Sequence, residues 1–151
     1  MTERELRVSD DLPVVFPLHP RTRARIEEAG LLGRLVNASR ITLADPLGYR
    51  ENLGLMQGAK VVLTDSGGIQ EETSFLGVPC LTLRSNTERP ATLTHGTNTL
   101  VGDDLDAASR EVERILAGAY RTGQSIDGWD GHAAERIATV LSAEWSGCAA
   151  A

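Results

Sequence analysis

Aromatic residues are scarce, at 4% of the 151 residues, and cysteine is scarcer still, with two. Two cysteines make no disulfide framework. Cys80 sits inside an apolar run, and Cys148 lies in a small-residue tail. Stability must then come from one aliphatic core, for which this length is enough. Also missing is any run near the roughly 20 apolar residues that a membrane-spanning helix needs. The opening from Met1 to Asp11 is charged and has no hydrophobic stretch of the signal-peptide kind. Lys and Arg (15) are outnumbered by Asp and Glu (21), for a net charge of −6. Without a basic field the chain is not expected to wrap nucleic acid or lie on an anionic membrane. A local basic pocket for a phosphorylated small molecule stays open. No Cys/His cluster has metal-ligand spacing and no Ser–His–Asp arrangement is supported, so neither a metal nor a cofactor is expected. The absences leave a single cytoplasmic domain as the expectation.

Short apolar runs alternate with helical patterns along the chain. Strands are expected at Pro13–His19, Arg40–Ala44, Lys60–Thr64, Val78–Leu83 and Thr99–Val101. Helices are expected at Arg21–Leu32, Gly48–Gln57, Ile69–Leu76, Leu105–Ala117 and about Trp129–Trp145, with Gly30 and Gly77 as stops. Residues 1–12 read as a flexible lead-in, 13–145 as the domain and 146–151 as a frayed tail. Alternation of this kind predicts an α/β fold, a mostly parallel sheet flanked by helices. Ligands of such sheets bind beyond the carboxyl ends of the strands. That rule selects His19, the Asp45–Tyr49 turn, the Thr64–Gly68 turn and the loop after Leu83.

The segment Thr64-Asp65-Ser66-Gly67-Gly68-Ile69-Gln70-Glu71-Glu72 carries the most chemistry. A strand ends, two glycines allow close approach, and a helix begins, so free N–H groups and the helix dipole make an anion site. Ser66 is placed to act as N-cap and as hydroxyl donor to a phosphate oxygen. Glu72 lies four residues after Gly68, on the same helix face, and helical side chains lean back toward the N-terminus. A carboxylate there repels phosphate but accepts from a pair of hydroxyls such as those of a ribose. A nucleotide fits that division. The turn alone also fits an ordinary strand-to-helix connection whose glycines only pack.

D-S-G-G-I-Q-E-E after an apolar strand resembles the signature of the non-hydrolysing UDP-N-acetylglucosamine 2-epimerases. F-P-L-H-P-R-T-R, A-D-P-L-G-Y, G-V-P-C-L-T-L-R-S-N-T-E-R-P and W-D-G-H-A-A-E-R-I fall in the matching order, so the resemblance covers Pro13 to about Leu141. It implies the C-terminal, Rossmann-like half of a two-domain GT-B-type fold. It also implies UDP or UDP-N-acetylglucosamine as ligand, with Ser66, Gly67 and Gly68 on the diphosphate and Glu72 on the ribose. His19 would reach the phosphates and sugar as the catalytic residue of this half, and Arg21, Arg84, Glu88 and Arg89 are candidate substrate contacts. The implied reaction is elimination of UDP from carbon 1, through a glycal-like intermediate, and its re-addition. Acid and base carboxylates would belong to the other half, so a complementary chain or a homodimer is an expected partner.

Three departures from the family pattern stand out. The family's domain opens with a further strand and helix before the strand that matches Val14–His19, and a doubly wound sheet without that strand loses its centre and exposes apolar edges. Asn52 stands where the family carries an aromatic, leaving Arg50 as the alternative stacking group. Ala91 follows T-E-R-P where a glutamate is usual. Outside the motif His19 also reads as a packed strand-end histidine. His95 reads as a helix-end or solvent residue, and His132 as lying on the exposed part of the last helix. Trp129 and Trp145 read as core or interface anchors, and the charges of R-T-R-A-R-I-E-E as a solvated helix face with Arg21 turned toward the ligand side.

Overall fold

The computed structural model describes residues 12–148, and side-chain environments through residue 145. All but Leu12 of the expected lead-in therefore lies outside the described residues, as does the Cys148 side chain. In chain order the elements are β1 (Val14–Pro17), α1 (Pro20–Glu28), α2 (Leu32–Asn37), β2 (Ile41–Ala44), α3 (Tyr49–Gly58) and β3 (Val62–Thr64). They continue with α4 (Gly67–Leu76), β4 (Cys80–Thr82), α5 (Pro90–Thr94), β5 (Asn98–Leu100), α6 (Leu105–Leu116) and α7 (Ala133–Cys148).

The strands and most helices fall where the periodicity put them, with shifted ends. The helix expected over Arg21–Leu32 stops at Glu28, because Gly30 at φ +67° turns the chain back and its N–H bonds the Glu27 carbonyl. A separate short helix, α2, follows. Gly77, in the left-handed conformation at φ +70°, ends α4 as expected. α5 was not foreseen, although Pro90 at its first position is an ordinary start signal. α7 begins at Ala133, later than expected, and is still helical through Cys148.

Every strand pair is parallel, and the strands form two sheets, as expected of a doubly wound sheet that has lost its centre. β1 pairs with β2 (Val14 opposite Ile41), and β3, β4 and β5 form a second ladder (Val62 opposite Cys80, Cys80 opposite Asn98). Among the described residues, β1 and β3 each have a single neighbour. The outer edge of β1 has few donors to offer a further strand. Val14 and Leu18 donate their N–H groups to Arg40 and Ala44 on the β2 side, so Pro13, Val15 and Pro17 face the other edge. Two of those three have no N–H to give. On β3, Val62 and Thr64 bond toward β4 and leave Val61 and Leu63 on the open side.

Two apolar clusters hold the body together. Leu81, Leu83, Val101, Ala108 and Val112 fill one, and Leu18, Ile26, Leu35 and Ile41 the other; Val14 packs against both. Between α4, β4 and β5 the interior is polar instead, with Gln70, Thr82, Thr92 and Asn98 fully buried. α7 is tied at its start by Arg136, which bonds both carboxylate oxygens of Asp130 at 2.9 Å and the Gly128 carbonyl at 2.7 Å. These bonds, with the His132 backbone N–H, draw the Asp130 carboxyl down to about 2. Ile137, Val140, Leu141 and Trp145 along α7 are exposed, which excludes the core role for Trp145, whereas Trp129 is half-buried.

Candidate nucleotide-binding site

The expected ligand contacts lie in the loops after β1, β3 and β4 or in the helices α1 and α4 that follow β1 and β3. At the end of β3, Thr64 Oγ1 accepts the Ser66 N–H at 3.0 Å and closes the turn. Ser66 then takes the N-cap position of α4 in extended backbone (φ −87°, ψ 130°). Its side chain makes no capping hydrogen bond. Of the two roles expected of Ser66, the side-chain capping bond is therefore not made. Gly67 and Gly68 are the first helical residues, and N–H groups of a helix's first turn have no partner within the helix. The Ser66 hydroxyl lies 4.0 Å from where a Cβ on Gly68 would sit, at the same end of α4 as these N–H groups.

A cation is added from the next loop. Arg89 Nε lies 3.0 Å from Glu71 Oε1. The same nitrogen lies 4.0 Å from where a Cβ on Gly67 would sit. Both side chains are around two-fifths exposed, so the pair contributes little stability. Its consequence is positional, since it parks a guanidinium beside the free end of α4. Glu72, half-buried one turn on from Gly68, has no hydrogen-bond or ion-pair partner among the described residues.

The remaining candidates are distributed less simply. Arg84 and Glu88, both expected to meet substrate, grip each other at 2.9 and 3.3 Å. A backbone hydrogen bond, then the Arg84 guanidinium, holds the Glu88 carboxyl below its usual range. His19 and Arg21 stand on the β1–β2 side. His19 is exposed and caps α1, its Nδ1 accepting the Arg21 N–H at 3.3 Å, so the packed-histidine reading does not apply. On the neutral ring that bond leaves the proton on Nε2. Arg21 is exposed on the first turn of α1, while Arg23 is paired with Asp45 at 3.3 Å across to the β2 loop. Tyr49 opens α3 with 68% of its surface exposed; Arg50 is exposed beside it, and Asn52 is half-buried. His95 bonds Thr94, and His132 pairs with Glu135 at 2.9 Å.

Sequence reasoning missed Glu71. The spacing that brought Glu72 forward from Gly68 applies equally to Glu71 from Gly67, but nothing local shows that Arg89 returns to meet it. A cavity of about 340 Å³ lined by Pro79, Tyr120, Arg121 and neighbours lies at the opposite, amino ends of the strands, away from these groups. Burial pushes the Cys80 thiol up, which leaves it a packed neutral group and not a nucleophile. Among the described residues no cluster of His, Cys, Asp or Glu is built to hold a metal, and no helix is long and apolar enough to cross a membrane.

The family profile described as UDP-N-acetylglucosamine 2-epimerase matches residues 2–142. The chain belongs to that family. A UDP-N-acetylglucosamine 2-epimerase of Methanocaldococcus jannaschii is 42% identical over 132 residues, 87% of this chain and 36% of that relative. A UDP-2,3-diacetamido-2,3-dideoxy-D-glucuronate 2-epimerase of Pseudomonas aeruginosa is 41% identical over 86% of this chain and 35% of its own length. The chain therefore spans a little over a third of these curated relatives. The crystal structure of the Methanocaldococcus jannaschii enzyme in complex with UDP-GlcNAc and UDP superposes with a TM-score of 0.77 at 38% identity, covering 93% of this chain and 38% of that one. The α/β architecture with parallel strands is thus the epimerase family's own. The two relatives are named for different sugars and share UDP and the 2-position.

Proposed function

We propose that this chain supplies the UDP-binding part of a UDP-N-acetylglucosamine 2-epimerase, which interconverts UDP-GlcNAc and UDP-ManNAc. The observation that carries this reading is the Ser66–Gly68 turn at the start of α4 with Arg89 held over Gly67 by Glu71. In the reaction the carbon 2 proton goes to a base, the bond from carbon 1 to the diphosphate oxygen breaks, and a glycal-like sugar and UDP result. Re-addition returns a proton to the other face of carbon 2 and UDP to carbon 1. Negative charge grows on the diphosphate as that bond breaks. Oriented N–H groups and a guanidinium fixed beforehand stabilise that charge, commonly a large share of such catalysis.

Around that centre the other residues take proposed roles. Glu72, half-buried and unpaired among the described residues, accepts from the ribose hydroxyls. His19 offers its Nε2–H to a phosphate or sugar oxygen, Arg21 stands beside it, and the Arg84–Glu88 pair faces the sugar as a unit. Acid and base carboxylates are assigned to the remaining length of the relatives, so turnover belongs to the completed two-domain body. A reading as a UDP-sugar-binding part without turnover, or as one subunit of a split enzyme or a homodimer, is favoured by the open edges of β1 and β3 and the apolar stripe of α7. The proposed compartment is the cytoplasm, in keeping with the free Cys80 thiol.

Titration calorimetry with UDP tests the turn residue by residue. Ser66→Ala and Glu72→Ala should each weaken binding by about 1.5–3 kcal/mol, the value of a hydrogen bond to a charged group. UDP affinity unchanged in Glu72→Ala would remove that residue from the ribose role.

A further inference from the structure

Behind the nucleotide turn lies a buried polar cluster that the binding chemistry leaves unused. Gln70, in the first turn of α4, is fully buried. Its Oε1 accepts from Thr87 Oγ1 at 2.6 Å and from Asn98 Nδ2 at 3.0 Å. Asn98, also fully buried on β5, donates to Thr92 Oγ1 at 3.1 Å and accepts from Thr82 Oγ1 at 2.6 Å. Two of the three threonine hydroxyls that meet these amides, those of Thr87 and Thr92, close on a single residue. Thr87 Oγ1 accepts the Arg89 backbone N–H at 3.0 Å, and Thr92 Oγ1 donates to the Arg89 carbonyl at 2.7 Å.

The loop between Leu83 and Pro90 has no ladder or helix of its own, so these side-chain bonds fix where Arg89 stands. The other half of the Gln70 amide argues in the same direction. Its Nε2 is buried without a partner among the described residues, a burden that an apolar side chain of equal length would avoid. The partnered half is the one that reaches the Arg89 loop.

We infer that Gln70 is a positioning residue for the nucleotide site. Its amide oxygen pins the Thr87–Arg89 loop to the helix whose N-terminus faces the diphosphate. Glu71 holds the Arg89 guanidinium, and Gln70, through Thr87, holds the Arg89 backbone. The cation is therefore in place over Gly67 before a ligand arrives, which avoids the ordering cost of fixing it on binding. This inference rests on the reading that a diphosphate occupies the turn.

Two measurements on the 151-residue chain separate the inference from that reading. Nitrogen-15 relaxation of the Arg89 Nε–H reports the mobility of the guanidinium without any ligand, and calorimetric titration reports UDP affinity. Gln70→Met removes the amide at nearly equal length. Thr87→Val breaks the same link from the half-buried side and serves if Gln70→Met does not fold. The expected result is an Arg89 Nε that is rigid in the parent and mobile in either variant. UDP affinity should fall about ten-fold, with no further fall when either change is added to Arg89→Ala. An Arg89 Nε as rigid in the variants as in the parent, with UDP affinity unchanged, would overturn the inference. So would an equal loss of affinity in the Arg89→Ala background, because Gln70 would then act without Arg89. A parent chain that does not bind UDP would instead sink the nucleotide reading, while the relaxation data still decide what Gln70 does.

Discussion

Arg89→Ala should weaken UDP binding by roughly ten- to a hundred-fold, measured by calorimetry at fixed ionic strength. Arg89 is the side chain that brings positive charge to the turn through a direct contact, its Nε 3.0 Å from Glu71 and close above Gly67. The N–H groups of α4 and the Ser66 hydroxyl remain in the variant, so binding should fall and not vanish. Raising the salt should narrow the difference between parent and variant, because part of the lost attraction is screened charge. Arg89→Lys should recover only part of the affinity, since a point ammonium cannot hold Glu71 through one nitrogen while other planar donors reach a phosphate oxygen. The fold should hardly notice, as the pair is partly exposed. An Arg89→Ala chain that binds UDP like the parent would place the diphosphate elsewhere.

Leu81→Ala should be the most damaging single truncation for stability, at about 2–5 kcal/mol, read from urea or thermal unfolding. Leu81 is fully buried at the middle of β4 and sits in the cluster with Leu83, Val101, Ala108 and Val112. Its strand is paired on both sides and has little freedom to collapse into the cavity left behind. At this chain length each kcal/mol moves the midpoint by about 2–4 °C. Well below that midpoint the variant should still bind UDP, because its cavity lies in the core and not among the ligand-facing groups. A loss under about 1 kcal/mol would mean that this cluster is not the centre of the core.

The nucleotide turn was legible because everything it needs is local. A strand end, two glycines, a helix start and the i to i+4 lean of Glu72 are all set within nine residues. Hydroxyl use was only half legible, as the sequence offers Ser66 a capping bond that the folded chain does not make. The Glu71–Arg89 pair and the Gln70–Thr87–Asn98 cluster join positions 17 to 28 residues apart, and no periodicity reports such returns. Nothing in the order of Arg84 and Glu88 shows that they face each other, so the sequence presents them as separate substrate contacts. The helices α2 and α5, at six and five residues, are too short to show an amphipathic period. The split of the sheet follows the expected loss of its centre. The donor-poor outer edge of β1 is not legible, since Pro13 and Pro17 alone do not say which edge they occupy.

Titrating the 151-residue chain with UDP and with uridine tests the central claim most directly, since the two ligands share base and ribose and differ by the diphosphate. UDP should bind one-to-one and at least about ten-fold more tightly than uridine, the difference lying in charge-assisted hydrogen bonds at the Ser66–Gly68 turn and Arg89. Equal affinity for the two, or no binding of UDP, would contradict the assignment of that turn to the diphosphate.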